Sequence, residues 1–473
     1  MNYYDLRQAV AKVIPRSHRL LGDKKKIRAV KEKGRKSGYT EYKLSKQEWV
    51  KQERLLNADE VSSFIEVSCR AQACPMPLNI DIWDGLICPY NCHYCFANAF
   101  RASLYTAFFD NSKTMGIRHC NPDKYVRELD KLLTKYRHRD PHVVSDNPVA
   151  KAIAIEIPIR FGIRFEDFLR QEEKAGISLR MLKYLAKCEY PVMVNTKSAL
   201  IGQDKYVHAL SQNKGKSAVH ITLISSNNKL LKALEPGAPT YEQRIEAMAN
   251  LVAGGVRVVA RIEPWMPFVN DDPEDTERYM KDLKRIGVKN LTFDTYSYSA
   301  NNPGIAQSFR NMGMDWDRIF SIGCESQGFA SVLLGSFMKL WQDKGFSCST
   351  FDMGNVPANN QSICCEVGDW FETPTGFNYG CTVMAARFIV EGKGEPRTWG
   401  DFCHYVNEHG GFLSESLKQE VHLLWDCLGK DAYSHAWSAG MKAVGQNSQG
   451  LIWSFSDSDF RQELLKGVGI ENV

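Results

Sequence analysis

Between Leu78 and Tyr296 the sequence repeats one pattern, a short apolar run followed by a longer segment with a single apolar face. The runs Leu78–Trp83, Lys151–Ile157, Tyr190–Thr196, Ala218–Ile224, Val256–Glu263 and Asn290–Tyr296 have the length and residue types of strands. Between them lie helical patterns over Pro122–Tyr136, Glu166–Lys187, Lys205–Asn213, Thr240–Ala253 and Pro273–Ile286. The first of these puts Leu129, Leu132 and Leu133 on one side, and Thr240-Tyr241-Glu242-Gln243 fits a capping box. Strands that alternate with helices build a parallel sheet with the helices outside it. Each helix keeps a polar face for water, which fits a curved sheet rather than stacked layers. The expected fold is therefore α/β, a partial six-unit barrel over residues 76–300. It would be preceded by an extension over residues 1–75 and followed by one over residues 301–473, where the alternation is lost. In such folds chemistry gathers at the carboxyl ends of the strands.

The first apolar run leads into Cys88-Pro89-Tyr90-Asn91-Cys92-His93-Tyr94-Cys95. A structural zinc site takes four ligands, commonly as paired knuckles. Here three cysteines share one tight loop, no fourth ligand lies nearby at knuckle spacing, and His93 is too close to its neighbours to complete a tetrahedron. Three thiolates can instead hold three irons of a 4Fe–4S cluster and leave the fourth iron open to a ligand. Cys88, Cys92 and Cys95 are the metal-ligand candidates.

Three cysteines at this spacing, with Tyr94 before the last, resemble the cluster loop of the radical S-adenosylmethionine superfamily. That resemblance implies a partial (β/α)6 barrel of the TIM type, a 4Fe–4S cluster and S-adenosylmethionine chelated to the open iron. One electron from the cluster then yields a 5′-deoxyadenosyl radical that abstracts hydrogen from a substrate. It also places Tyr94 near the adenine. The loop through Phe96, together with Leu234-Glu235-Pro236-Gly237-Ala238-Pro239-Thr240 and Arg244-Ile245-Glu246-Ala247, resembles the spore photoproduct lyase branch. For that branch the resemblance implies cofactor contacts from Lys197 and from the polar end of the fourth strand, where Thr222 and Ser225 stand. Glu156 and Arg160, at the end of the second expected strand, suit an ammonium and a carboxylate or phosphate. One departure matters. The branch carries a hydrogen-returning cysteine just past its second strand, whereas Ala154–Arg160 contains none. The expected reaction is thus a related lyase, isomerase, repair or base-modifying step on a nucleic-acid base or nucleotide. A peptide or small metabolite is the alternative substrate, and a zinc-binding nucleic-acid protein the third reading.

Arg257, Arg261 and Glu263 share one face of the fifth expected strand, and Asp294 and Tyr296 one face of the sixth. Charges in a parallel strand need partners or a ligand, so these five are the substrate-contact candidates. Past residue 300, Cys348, Cys364 and Cys381 could hold a second iron–sulfur cluster, with Cys403 in reserve. Alternatively Cys364 or Cys365 could be the missing hydrogen donor. Cys69, Cys74, Cys120, Cys188, Cys324 and Cys427 show no ligand spacing.

Charge is uneven. Ten Lys and Arg lie between Arg16 and Lys36 against Asp23 and Glu32, although the whole chain carries only +5. A basic arm of this kind suits a polyanion such as nucleic acid. No apolar run is long enough to span a bilayer, and the start MNYYDLRQAV lacks a secretory pattern. A cytoplasmic enzyme served by a flavodoxin- or ferredoxin-type reductant is expected.

Overall fold

The computed structural model describes residues 2–13, 67–69, 78–80, 82–85, 88–95, 97, 117–140, 143–144, 148–296, 309–314, 327–352, 355, 358–361, 364–370, 382–408, 415–426, 428, 440–456 and 465–466. The basic arm Arg16–Lys36 and Cys381 fall outside these residues.

The strands, in chain order, are β1 (Val67–Cys69), β2 (Leu78–Ile80), β3 (Trp83–Gly85), β4 (Ile117–His119), β5 (Ile159–Phe161), β6 (Val192–Thr196), β7 (Ser217–Thr222), β8 (Arg257–Trp265), β9 (Asn290–Thr295) and β10 (Ser347–Thr350). Eight of them form one sheet in the order β1-β2-β5-β6-β7-β8-β9-β10. All neighbours in it are parallel except β1, which runs antiparallel to β2. The α/β partial barrel is thus present, with three differences from the sequence reading. The run Leu78–Trp83 is broken, and β3 pairs antiparallel with β4 outside the main sheet. The expected second strand Lys151–Ile157 is a helix, Pro148–Ala154, and the sheet strand comes later as β5. The alternation also continues beyond residue 300, because helix Gln327–Gln342 and β10 add another unit to the sheet.

Sheet register sorts the strand residues by face, since in-register neighbours in parallel strands project the same way. Asn79, Arg160 and Arg257 lie on one face, together with Asn195, His220 and Ser347, and with Thr222, Arg261, Thr292 and Ser349. That polar face lines the barrel lumen. The opposite face carries Val219, Ile221, Val258, Ile262, Leu291 and Phe293, all buried. Helix Gln327–Gln342 covers its far edge, with Phe337 and Trp341 against the Phe293 ring at 5.9 and 6.1 Å between centroids. The N-terminal region begins with a docked helix, Tyr3–Val13. Its Tyr3 ring packs 4.9 Å from Phe337, and Arg7 pairs with Asp271 at 2.9 Å. Past the barrel, helices Thr382–Glu391, Trp399–Glu408 and Glu415–Trp425 pack with the hairpin β11 (Met441–Asn447) and β12 (Gly450–Phe455). Trp399 lies against Trp425 there, at 5.6 Å. Among the described residues no helix is long and apolar enough to cross a membrane.

Two buried carboxylates fix the approach to the cysteine loop. Asp167 accepts from the N–H groups of Ile82 and Trp83 at 3.2 and 3.0 Å and from Gly162 at 2.7 Å. Gly162 has φ +73°, and a Cβ there would lie 1.9 Å from the Asn195 carbonyl oxygen, so only glycine fits. Glu172 accepts from Trp83 Nε1 and from the N–H groups of Ile177, Ser178 and Leu179, each at 3.0 Å. Those three N–H groups are the unpaired first turn of helix Ile177–Lys187. One side chain therefore caps that helix and holds β3. Glu172→Ala is expected to lower unfolding stability by on the order of 3 kcal/mol in denaturant titration, because it strands several buried donors. Glu172→Gln should recover part of the loss.

Candidate active site

The cysteine loop follows β3 and is built from two tight turns, with Asn91 N–H bonding to the Cys88 carbonyl at 2.9 Å and Cys95 N–H to the Cys92 carbonyl at 3.1 Å. Asn91 takes φ 45°, a left-handed conformation that asparagine tolerates. Cys92 and Tyr94 are each 7% exposed, and Cys88 and Cys95 are partly exposed.

The segment Leu234–Thr240 clamps this loop. His93 N–H donates to the Leu234 carbonyl at 2.8 Å, and Gly237 N–H to the Tyr90 carbonyl at 3.1 Å. A Cβ on Gly237 would sit 2.2 Å from the Pro89 carbonyl oxygen, so close backbone approach demands glycine here too. The clamp has a charged core. Glu235 accepts from the Tyr94 hydroxyl through Oε1 and from Arg244 through Oε2. Both members of the Glu235–Arg244 pair are fully buried. Arg244 also donates to the Thr222 carbonyl at 2.9 Å and to the Pro239 carbonyl at 2.7 Å, tying the clamp to the end of β7. The helix that carries Arg244 begins at the expected capping box, with Thr240 and Gln243 bonded reciprocally.

Lys197 follows β6 and places its ammonium 5.3 Å from the Tyr94 ring centroid. Burial works to lower its pKa, but the neighbouring Cys92, Glu235 and Cys95 outweigh it and hold the amine in its charged form. Burial pushes the Cys92 thiol well up, while Lys197 pulls the other way. Three sulfurs within eight residues and one adjacent cation form a donor set suited to an anionic iron–sulfur cluster. Glu166 holds the turn bearing Lys197 in place by accepting from Thr196 Oγ1 at 2.6 Å and Lys197 N–H at 3.0 Å. Thr222 ends β7 on the lumen face. Ser225 is buried and spends its hydroxyl on Asn227 N–H at 3.0 Å.

Glu156 is a correction. It lies before β5, at the amino ends of the strands and opposite the cysteine loop, where it pairs with Arg137 at 2.5 Å and Lys216 at 3.5 Å. It cannot reach a cofactor on that loop. Arg160 is not beside it but within β5, facing the lumen, with Nε 2.8 Å from Asn79 Oδ1.

Inside the lumen Arg261 pairs with Glu263. Burial, then the charges of Glu263 and Asp352, push the Asp294 carboxyl well above its usual range. Tyr296 is buried just past β9, its N–H bonded to the Trp265 carbonyl at 3.2 Å. Arg257 sits lower, at the amino end of β8, and is a second correction. Its guanidinium grips Asp369 through both terminal nitrogens and donates to the Glu366 carbonyl at 3.3 Å. It holds protein rather than facing the lumen mouth.

The expected second cluster set also needs correction. Ser347 and Ser349 bond to Glu366 on the lumen side, so the alternation of β10 turns Cys348 to the helix-packed face. There Cys348 is fully buried in the apolar core, while Cys364 lies in the turn that carries Glu366. The sheet separates the two sulfurs, and Cys348 and Cys364 cannot bind one cluster. Cys403 lies on helix Trp399–Glu408.

Several site residues were not assigned from the sequence. Glu235 and Arg244 stood within recognised segments but carried no role, since only the fold shows that they meet. Glu366 and His220 gave weaker signals, an acid beside two cysteines and a single histidine in an apolar run. His220 is 2% exposed on the lumen face, and neither its Nε2 nor Thr292 Oγ1 has a hydrogen-bond partner. These are positions a polar ligand could fill.

Residues 85–283 match the family described as the Radical SAM superfamily. An uncharacterized protein of Acidianus two-tailed virus is 28% identical over 99 residues, 20% of this chain and 32% of that protein. An uncharacterized protein of Mycobacterium tuberculosis is 21% identical over 246 residues, 49% of this chain and 64% of its own length. The chain therefore spans less than two thirds of either relative. Among solved structures, spore photoproduct lyase complexed with dinucleoside spore photoproduct has 15% identity and a TM-score of 0.39, over 60% of this chain and 78% of that one. The cobalamin-dependent S-adenosylmethionine radical enzyme OxsB with aqua-cobalamin bound has 16% identity and a TM-score of 0.29, over 51% of this chain and 30% of that one.

Two outcomes test the site. Arg244→Ala leaves Glu235 charged, buried and unpaired, and is expected to cost about 3–5 kcal/mol in denaturant unfolding. The double variant Glu235→Gln/Arg244→Met should recover much of that, and a cost below about 1 kcal/mol for the single variant would refute the clamp. Separately, burial and then Arg261, Arg160 and Arg257 hold the His220 imidazole well below its ordinary range. The unfolded chain takes up a proton there near pH 6.5 while the folded chain does not. Stability should then be full above about pH 6.5 and fall as pH drops below it, and His220→Asn should flatten that slope in pH-dependent denaturation.

Proposed function

We propose that the chain is a radical SAM enzyme, on the family match at residues 85–283, and that it acts on a nucleic-acid base or nucleotide. The supporting observation is the cysteine loop, locked by Tyr94, Glu235 and Arg244 and facing Lys197. Cys88, Cys92 and Cys95 would hold three irons of a 4Fe–4S cluster. When bound, that cluster supplies the electron that cleaves S-adenosylmethionine to methionine and a 5′-deoxyadenosyl radical. The residues do the positioning. Tyr94 is pinned by Glu235 and offers a fixed ring beside the loop. Lys197 presents a partly buried positive charge for the carboxylate of S-adenosylmethionine, and Thr222 lines the mouth toward the lumen.

Arg261, Glu263, Asp294 and Tyr296 are the substrate-facing groups at the carboxyl ends of β8 and β9. A lumen of paired charges and open hydrogen-bond positions suits the polar edge of a base better than an apolar substrate. The basic arm Arg16–Lys36 supports a polyanionic carrier for that base. The reaction class would be a lyase, isomerase or base-modifying step fed by a flavodoxin- or ferredoxin-type reductant. One observation favours the second reading, a small metabolite: the turn Cys364–Trp370 bonds to lumen-facing side chains of β8, β9 and β10 and so takes up part of the lumen.

Anaerobically reconstituted protein should show 4Fe–4S absorbance and form 5′-deoxyadenosine when given reductant and S-adenosylmethionine. The Cys88/Cys92/Cys95→Ala variant should do neither. If wild type makes no 5′-deoxyadenosine, the enzyme reading fails. Deleting Arg16–Lys36 should weaken polynucleotide binding, most strongly at low salt. Unchanged binding would shift the choice to the small metabolite.

A further inference from the structure

Two acids stand side by side at the carboxyl ends of β8 and β9. The strands are paired through Arg261 with Thr292 and Ile262 with Phe293, before the register shifts toward Trp265. Ile262 and Phe293 are buried on the helix-packed face, so the next residue of each strand, Glu263 and Asp294, turns to the lumen. Neighbouring strands run about 4.8 Å apart, a spacing at which two carboxylates cannot both ionise without cost. Arg261 settles which one does. Among the described residues it forms its ion pair with Glu263 and not with Asp294. Arg261 and Glu263 keep side-chain exposures of 25% and 19%, so a ligand entering the lumen can touch them.

We propose that Glu263 and Asp294 form a carboxylate–carboxylic acid pair that grips the polar edge of the substrate and exchanges a proton with it. Glu263, charged beside Arg261, accepts a hydrogen bond, and Asp294 donates one. A donor next to an acceptor fits a group with an N–H beside a carbonyl oxygen or a ring nitrogen. Two open positions on the same face point to a ligand. Thr292 lies two residues before Asp294 on β9 and His220 lies on β7. Both are 2% exposed, and neither Thr292 Oγ1 nor His220 Nε2 has a partner. The groups around the pair agree with the assignment. Burial, then the charges of Glu263 and Asp352, push the Asp294 carboxyl toward its protonated form, against Thr295 N–H and Arg261. Asp352, past β10, is itself held by Ser331 at 2.8 Å and Asn355 at 3.0 Å. Cys365 of the turn stands near Arg261 and Glu263, and Tyr296 follows two residues after Asp294.

The role of the pair rests on the radical reading above, and its proton step balances. The Asp294 O–H bond breaks heterolytically, and the proton goes to a carbonyl oxygen or ring nitrogen of the bound base. Asp294 is left as a carboxylate beside Glu263, with Arg261 facing both charges. The same proton returns to Asp294 as the neutral product forms, so no further reagent is consumed. The transfer offsets negative charge that gathers on the oxygen or nitrogen while the ring electrons rearrange in the radical step.

Anaerobic holoenzyme is treated with dicyclohexylcarbodiimide, which couples to protonated rather than ionised carboxyls, across a pH series and mapped by peptide mass spectrometry. Asp294 should be labelled near neutral pH and Glu263 should not. Glu263→Gln removes the like charge and frees Arg261, so Asp294 labelling should move to lower pH. The labelling order in wild type needs no variant, and it decides where the proton sits even if Glu263→Gln does not fold. Labelling is then repeated with S-adenosylmethionine plus each of the four ribonucleosides, mixed-sequence DNA or RNA oligonucleotides, or ribose 5-phosphate. At least one nucleoside or oligonucleotide should protect Asp294, and ribose 5-phosphate should not. Labelling of Glu263 first, no protection by any base-containing probe, or protection by ribose 5-phosphate alone would overturn the pair. 5′-Deoxyadenosine formation on the same wild-type sample separates the two failures. If it forms while Asp294 stays unlabelled, the radical reading stands and the pair falls. If Asp294 is labelled and protected but no 5′-deoxyadenosine forms, the radical reading falls and the pair remains as a proton-bearing base contact.

Discussion

The site depends on one buried ion pair, Glu235 with Arg244. Neither side chain touches water, so both charges have been stripped of hydration at a cost that their mutual attraction only just offsets. What the pair contributes is geometry. Glu235 also receives the Tyr94 hydroxyl, and Arg244 also reaches the Thr222 and Pro239 carbonyls. Through these bonds a loop that supplies its own backbone turns but little apolar surface is fixed to the sheet and to the helix beginning at Tyr241. A pair of apolar residues could fill the same volume, but it could not position Tyr94 and the end of β7 at once.

The parts of the fold legible in sequence were those with a local cause. Helices Pro122–Tyr136 and Pro273–Ile286 begin at proline behind Asn121 and Asp272, side chains that cap the first turn, and the sequence reading matched both spans. The strands β6 to β9 were legible because buried parallel strands are apolar runs flanked by turns. Lys151–Ile157 failed for the same reason in reverse. Its residues are apolar and few, which suits a short buried helix as well as a strand, and tertiary contact decided for the helix. Strand β10 failed because Ser347-Cys348-Ser349-Thr350 looks polar, and it becomes a strand only because Glu366 satisfies the hydroxyls it turns inward.

The same contrast holds for the site. Cys88, Cys92 and Cys95 share a loop, so their spacing carries the chemistry directly. Glu156 looked like a strand-end acid because the strand was misplaced, and a displacement of a few residues moved it from one end of the sheet to the other. Pairings across long stretches of chain, such as Arg257 with Asp369 or Asn290 with Glu366, leave no local pattern to read.

A parallel sheet with both faces apolar needs no ligand. This one spends its inner face on Arg160, His220, Arg261, Glu263, Thr292 and Asp294, and an inner face of that kind is unstable unless something satisfies it. The turn Cys364–Trp370 does so at the amino end, where Glu366 and Asp369 absorb the donors of β8, β9 and β10. Its Cys365 extends as far as the Arg261–Glu263 pair. The groups that remain open, His220 Nε2 and Thr292 Oγ1 among them, lie level in the sheet register with Ser347 and Ser349, the residues that Glu366 bonds. The lumen is thus filled in part by protein and left polar elsewhere, and its unfilled hydrogen-bond positions stand beside the turn that fills it.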